Sequence, residues 1–326
     1  MSDVSIKSVC VDEEGMRLDR WFKAHYPSLG FGHLQKLLRS GQVRVDGKRA
    51  KTSQRLEEGQ TVRIPPISDS PPAPRQEHSS PDAAALRQMC IYEDDAVLVL
   101  NKPAGLAVQG GPGLRRHIDG MLGALTSADG QRPRLVHRLD RDTSGVLLIA
   151  KKRLAAKALA ESFKARDTRK IYWGLVVGVP KPRLGRVSTW LKKQEGPDGE
   201  RMHSTLQRKS GAVHAVSQYA VVEQAAHKLS WLILQPVTGR THQLRVHAAE
   251  IGHPLVGDVK YFNIENWELP GGIQNRLHLH ARSISIPHPN GGVLEVAAPL
   301  PDHMRQSWNL LGLDPQAGDQ IAEELP

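Results

Sequence analysis

Residues Leu135 to Lys151 read LVHRLDRDTSGVLLIAK, and no other stretch restricts the fold as strongly. Nine residues, His137 to Gly145, hold a histidine, two arginines, two carboxylates, two hydroxyls and a glycine. The chain then turns apolar, and Val146 to Ala150 has the length and β-branched content of an interior strand. A dense polar loop is therefore expected beside a buried strand. Asp140 and Asp142 are two apart, so in an extended loop their carboxylates could point the same way and act as a hydrolase pair. Arg138 and Arg141 flank them. A neighbouring guanidinium favours the ionised form of a carboxylate, which suits a nucleophile or base and opposes a general acid held protonated.

The rest of the chain divides around this loop. At 326 residues about two domains are expected. Residues 65–86, which include SDSPPAPRQEHSSPDAAAL, are rich in Pro, Ser and charge without an apolar period and read as a flexible linker. They separate an N-terminal domain, 1–64, from a catalytic domain, 87–315, with 316–326 as an acidic, frayed tail. No apolar run approaches the roughly 18 residues of a membrane span. The start has neither a basic n-region nor an apolar h-region, so a cytoplasmic protein with no membrane partner is expected, as is a monomer. Cys10 and Cys90 lie far apart with no CxxC or histidine spacing around them, which speaks against a disulfide framework or a zinc site.

The formal charge of +10 points to a polyanionic partner, and its placement is informative. Met16 to Ile64 holds eleven Lys and Arg against four Asp and Glu, a net of +7 in 49 residues. Leu18, Trp21 and Phe22, and again Leu34, Leu37 and Leu38, fall at helical spacing. Gln42 to Val45 alternates, Asp46-Gly47 is a hairpin dipeptide, and Val62 with Ile64 supplies another strand edge. Arg39, Arg44, Lys48, Arg49 and Lys51 cluster near the second helix end and the hairpin, where a phosphate backbone could lie. A solvated basic face is the alternative. The segments RLDRWF, LQKLLRSGQVRVDGKRAK and LEEGQTVRI together resemble the S4 RNA-binding domain. Gly32-His33 departs from the Ser-Arg that the family usually shows.

From Met89 onward strands outnumber helices. MCIYE and AVLVLNK flank Asp94-Asp95 as a hairpin, Arg153 to Arg166 reads as a helix, and Lys170 to Gly178 as a strand with Tyr172 opposite Ile171 and Trp173. Val213 to Val222 and Leu229 to Gln235 pair around QAAHK, and Leu277 to Ile286 with Gly292 to Ala297 close the domain. Pro180 to Gly211 carries no clear pattern. Thr241 is placed to cap a helix bearing Leu244, Ala248 and Ile251. The expected fold class is α+β, with a mixed, largely antiparallel sheet.

The chemistry is narrowed by what is missing. There is no GxSxG elbow, HExxH, Walker or GxGxxG fingerprint. His137-Arg138-Leu139-Asp140 is not a kinase HRD loop, and His242 and His247, five apart, do not share a helix face for a metal. No metal and no cofactor are expected.

HRLDRDTSG, preceded by NKPAGLAV at Asn101 to Val108 and followed by RKIYWGLVVG and TGRTHQLRVH with GHPLVGD, resembles the RluA family of RNA pseudouridine synthases. The resemblance covers nearly the whole chain outside linker and tail. It implies an isomerase that converts uridines in RNA, here 23S ribosomal RNA or its large-subunit precursor, to pseudouridine without cofactor or metal. It implies Asp140 as the catalytic aspartate, Arg245 as the arginine that pairs with it, and Tyr172 as the tyrosine that stacks on uracil. Arg240 would meet substrate phosphate or the loop, and His137 and Arg138 would orient the loop or contact RNA. Ser217 stands where the family often has threonine, and Gln109 where relatives show histidine. Two alternatives remain: a non-catalytic S4-type ribosome assembly factor, and a glycoside or nucleoside hydrolase using Asp140 and Asp142.

Overall fold

The computed structural model describes residues 4–26, 29–67, 81–111, 114–127, 130–196, 199–205, 207, 209–225, 228–262 and 268–325. The chain divides into two units, Met1–Ser79 and Ser80–Pro326. In the first, strand β1 (Ser5–Ser8) precedes helices α1 (Leu18–His25) and α2 (Phe31–Arg39), and β2 (Arg44–Val45), β3 (Lys48–Arg49) and β4 (Thr61–Ile64) complete a sheet of order β1-β4-β2-β3. The i, i+3, i+4 residues do what their spacing requires. Leu18, Trp21 and Phe22 of α1 and Leu34, Leu37 and Leu38 of α2 are buried together with Val43, Val62 and Ile64. Asp46 and Gly47 both take positive φ, 48° and 74°, the geometry of a tight turn between β2 and β3.

The second unit opens with α3 (Pro81–Met89), whose Ala83 and Leu86 are buried. Part of the expected linker is therefore helix, and 68–80 lie outside the described residues. Strands β5 (Cys90–Glu93) and β6 (Val97–Lys102) form the expected hairpin, followed by α4 (Ile118–Met121), β7 (Arg134–Leu135), β8 (Ser144–Ala150), α5 (Arg153–Ala165) and β9 (Arg169–Val177). Next come β10 (Leu184–Gly196), β11 (Gly199–Thr205), β12 (Val213–Ala225), β13 (Leu229–Pro236), α6 (Gln243–Glu250), β14 (Leu279–Pro287), β15 (Val293–Ala297), α7 (Asp302–Leu311) and α8 (Pro315–Glu324).

Eleven strands share one mixed sheet, ordered β11-β10-β12-β13-β9-β14-β8-β6-β5, with β15 on β14 and β7 on β8. Strands β14 and β8 run parallel, and among the described residues the other strand pairs are antiparallel. All seven residues of β8 are buried, as the apolar run predicts. The end of the chain corrects the sequence reading. Residues 316–326 were expected to fray, yet α8 lies on the sheet, with Gly318 against Trp231 and Trp173 and Asp319 paired to Arg282 at 2.6 Å. Ala322 and Leu325 are buried in the cluster formed by Trp173, Trp231 and Trp308. No helix among the described residues is long and apolar enough to cross a membrane.

Candidate active site

The polar loop lies between β7 and β8, and three anchors fix it. His137 Nε2 accepts the Leu148 N–H at 2.8 Å while its ring lies 4.9 Å from that of Phe163. An imidazole nitrogen that accepts a backbone N–H is unprotonated, and burial, with the Lys170 charge adding, pulls its pKa down to about 3. His137 thus orients the loop. Lys102, fully buried at the end of β6, donates to the carbonyls of Pro103, Leu106 and Arg141 at 2.8–2.9 Å. Gly105 N–H donates to Arg141 O at 2.9 Å and Arg141 Nε donates back to Gly105 O at 3.1 Å. The glycine-containing NKPAGLAV segment is a brace for the polar loop, and burial draws the Lys102 ammonium down to about 7 against the opposing charges of Asp142 and Asp140.

The third anchor is the exit into β8. Ser144 Oγ and His280 Nδ1 are 2.9 Å apart and buried. At Gly145, φ is +107°, and a Cβ would lie 2.2 Å from Ala281 O, so only glycine lets β14 pass this close. Thr143 N–H donates to Asp140 O at 3.2 Å, while the buried Thr143 hydroxyl has no partner among the described residues.

The result is that Asp140, with its side chain 19% exposed, projects into a cavity of about 510 Å³. Six basic side chains line that cavity: Arg138, Lys164, Arg166, Lys170, Arg240 and Arg245. Among the described residues Asp140 is the single carboxylate in the lining. Tyr172 also lines it, on the face of β9 opposite Trp173. Burial, with the charge of Asp140 adding, raises the phenol well above its usual range, so the hydroxyl stays protonated at neutral pH. Arg138 is exposed, and Arg240, also exposed, donates through Nε to His214 O at 3.2 Å. Asp142 is exposed and outside the lining, so the two carboxylates do not face one space.

The opposite wall is the start of α6. Thr238 Oγ1 and Arg240 N–H both donate to Gln243 Oε1, at 2.7 and 3.1 Å, and Gln243 Nε2 donates to Val216 O and Ser217 Oγ at 2.9 and 2.8 Å. His247 joins this buried network through Ser217 (2.9 Å) and Thr189 (3.1 Å), and burial lowers its pKa to about 4. These bonds tie the TGRTH turn to β12. They also shift the helix start: His242, not Thr241, occupies the N-cap, in a left-handed conformation with φ 52°.

Arg245 has a second, tighter partner besides Asp140. Asp258 accepts from Nε at 2.7 Å and Nη2 at 2.6 Å with its own side chain wholly buried. Arg245 Nη1 stands 4.0 Å from Asp140 Oδ2, and its guanidinium lies 5.1 Å from the centre of the Tyr261 ring. Asp258 is set by Gly257, whose Cβ would lie 2.0 Å from Arg276 O. Asp258, Tyr261, His242 and Lys102 are the site residues that sequence reasoning missed. The GHPLVGD glycine and the lysine closing β6 were the available signals. Among the described residues no cluster of three or more His, Cys, Asp or Glu could hold a metal ion.

In the N-terminal unit, Arg39, Arg44, Lys48, Arg49 and Lys51 are all exposed. Arg44 is partly committed to the fold, donating to the carbonyls of Gly41 and Gly47 at 3.2 Å.

Residues 96–250, which contain the polar loop, β9 and α6, match the family model described as RNA pseudouridylate synthase. The chain is 38% identical over 312 residues to ribosomal large subunit pseudouridine synthase C of Escherichia coli O157:H7, covering 93% of this chain and 95% of that one. It is 35% identical to the protein of the same name from Vibrio cholerae serotype O1, covering 93% and 96%. Among solved structures it is similar to human RNA pseudouridylate synthase domain containing 4, with a TM-score of 0.59 and 30% identity over 71% of this chain and 96% of that one. Sequence, sheet and loop agree, and the chain belongs to the RNA pseudouridylate synthase family.

Proposed function

We propose that this protein converts uridines of large-subunit ribosomal RNA to pseudouridine, with Asp140 as the reacting carboxylate. The observation that carries the reading is a cavity in which one carboxylate faces six basic side chains. Such a cavity favours a polyanion over a neutral sugar. The isomerisation breaks the N1–C1′ bond, joins C1′ to C5, moves a proton off C5 and returns one to N1. An ionised aspartate can serve it by attack on C1′ or uracil C6, or by removing the C2′ proton.

Tyr172 offers an aromatic face and a protonated hydroxyl in the cavity. Base stacking on such a ring is worth roughly 1–3 kcal/mol, against a few kcal/mol to extract a uridine from its stack. Arg245 supplies positive charge near Asp140, while Arg138 and Arg240 are exposed for phosphate. Hydrolysis by a carboxylate pair lacks its second acid, because Asp142 lies outside the lining. The N-terminal unit, by its resemblance to S4 domains and its net charge, holds flanking RNA through Arg39, Lys48, Arg49 and Lys51, with Arg44 chiefly shaping the hairpin.

The test is transcribed large-subunit rRNA incubated with the protein and analysed by nucleoside mass spectrometry. Pseudouridine should form without free uracil and vanish with Asp140→Ala. Release of free base, or an Asp140→Ala variant of full activity, would overturn the reading.

A further inference from the structure

His242 has no task in the scheme above, yet it stands beside the reacting carboxylate. Its φ of 52° falls in the left-handed region that non-glycine residues seldom occupy. Such strain persists only where surrounding structure imposes it. Here the Gln243 bonds to Thr238, Arg240 and β12 impose it. The ring, 16% exposed, lines the cavity with Nε2 4.0 Å from Asp140 Oδ2 and Nδ1 2.8 Å from the Tyr261 hydroxyl.

Tyr261 and Asp140 together select the tautomer. The Tyr261 oxygen accepts the Met202 N–H at 2.9 Å, and His242 Nδ1, 2.8 Å away, is placed to take its hydroxyl hydrogen. The imidazole proton then sits on Nε2, facing Asp140. The other tautomer would aim a lone pair at a carboxylate.

Arg245 leaves room for this second donor. Its Nε and Nη2 are committed to Asp258, so Nη1, also 4.0 Å from Oδ2, is the nitrogen it turns toward Asp140. Both separations exceed a hydrogen bond, as is common before substrate closes a site.

We infer, on the isomerase reading above, that His242 is a positioning residue: held by Tyr261 as a neutral Nε2–H donor, it closes with Arg245 on Oδ2 of Asp140 and leaves Oδ1 as the reacting oxygen. The charged and titratable groups facing the imidazole are Asp140, Arg245, Asp258, Lys260 and Tyr261. Burial lowers its pKa below the usual histidine value although the charge of Asp140 opposes this, so the ring is neutral at pH 7.

The test is single-turnover pseudouridine formation and RNA affinity for wild type, His242→Asn, His242→Gln and Tyr261→Phe, each across pH. Asparagine tolerates the left-handed backbone but is too short, whereas glutamine can place an N–H near the Nε2 position. Losing one oriented donor should slow His242→Asn on the order of 100-fold with RNA affinity within about two-fold, and His242→Gln should recover to within about ten-fold of wild type. Tyr261→Phe leaves ring and backbone in place, so it reports even if substitution at 242 disturbs folding, and it should be slowed while RNA affinity holds.

An active wild type with His242→Asn equal to it, His242→Gln no better than His242→Asn, or Tyr261→Phe at the wild-type rate overturns the inference alone. A wild type that leaves rRNA uridines unchanged overturns the isomerase reading, and the positioning role with it.

Discussion

The two units carry positive charge in opposite ways. In the first, net +7 over Met16 to Ile64 resides on exposed side chains such as Arg39, Lys48 and Lys51. In the second, the cation nearest Asp140 is buried and held by a carboxylate of its own, Arg245 on Asp258. Exposed charges act over distances near the Debye length, about 8 Å at physiological salt, and weaken as salt rises. A buried bidentate pair is screened far less and fixes a direction. On the proposed function the contrast separates capture of the nucleic acid from alignment of the chemistry, so the two should fail independently.

The largest test is at the carboxylate. Asp140→Asn should lower pseudouridine formation by about 10³-fold or more while RNA affinity measured by filter binding stays near wild type. A parallel loss of affinity would erase the proposed separation.

Acid should divide the units next. Burial draws His137 to about 3, and His247, His278 and His280 to about 4, all in the second unit. Each folded-state value lies below the usual 6.5, so between about 6.5 and 4 the unfolded chain binds more protons. Stability is present above pH 6.5 and is lost as pH falls through that window, on the order of 3 kcal/mol per histidine. Hydrogen exchange at pH 7 and 4.5 should show the second unit losing protection first. Earlier loss in the first unit would contradict the burial argument.

Asp258→Ala should then destabilise the second unit by about 3–5 kcal/mol, because it leaves Arg245 buried without its partner. Urea denaturation measures this, and a change below about 1 kcal/mol would mean that Arg245 escapes to solvent.

Arg39→Glu, Lys48→Glu and Lys51→Glu combined in the full chain should reduce the slope of log affinity on log salt by about two to three, with the saturated rate unchanged. A slower saturated rate would show that capture and alignment are linked. Ser217→Thr should be the mildest change, under about 1 kcal/mol in melting experiments, since threonine offers the same oxygen to Gln243 and His247.

Legibility in the sequence followed the range of the forces involved. Helices α1 and α2, the Asp46-Gly47 turn, β8 and β9 could be read because their signals are local: spacing, a dipeptide, an apolar run. The β10–β11 ribbon could not, because KKQEGPDGERMHST is almost wholly polar and alternates no apolar face. Helix α8 reads as acidic and frayed, and only the tryptophans brought together from β9, β13 and α7 give its Gly318 and Ala322 a surface to meet. At the site, Asp140, Tyr172 and Arg245 were found by resemblance, whereas the second partner of Arg245, Asp258, depends on Gly257 threading beside Arg276. Tautomer control by Tyr261 depends on Met202 from β11, the segment without a pattern.

The Ser144–His280 contact joins residues 136 positions apart, and the adjoining β8–β14 pairing is parallel. Bringing such distant segments together costs chain entropy before any contact rewards it. The polar loop is therefore expected to acquire its final shape only after β14 arrives, late in the folding of the second unit. During refolding from urea, secondary structure should return before pseudouridine-forming activity, with Ser144→Ala chiefly speeding unfolding rather than slowing refolding. Simultaneous recovery of both signals would place the β14 encounter early instead.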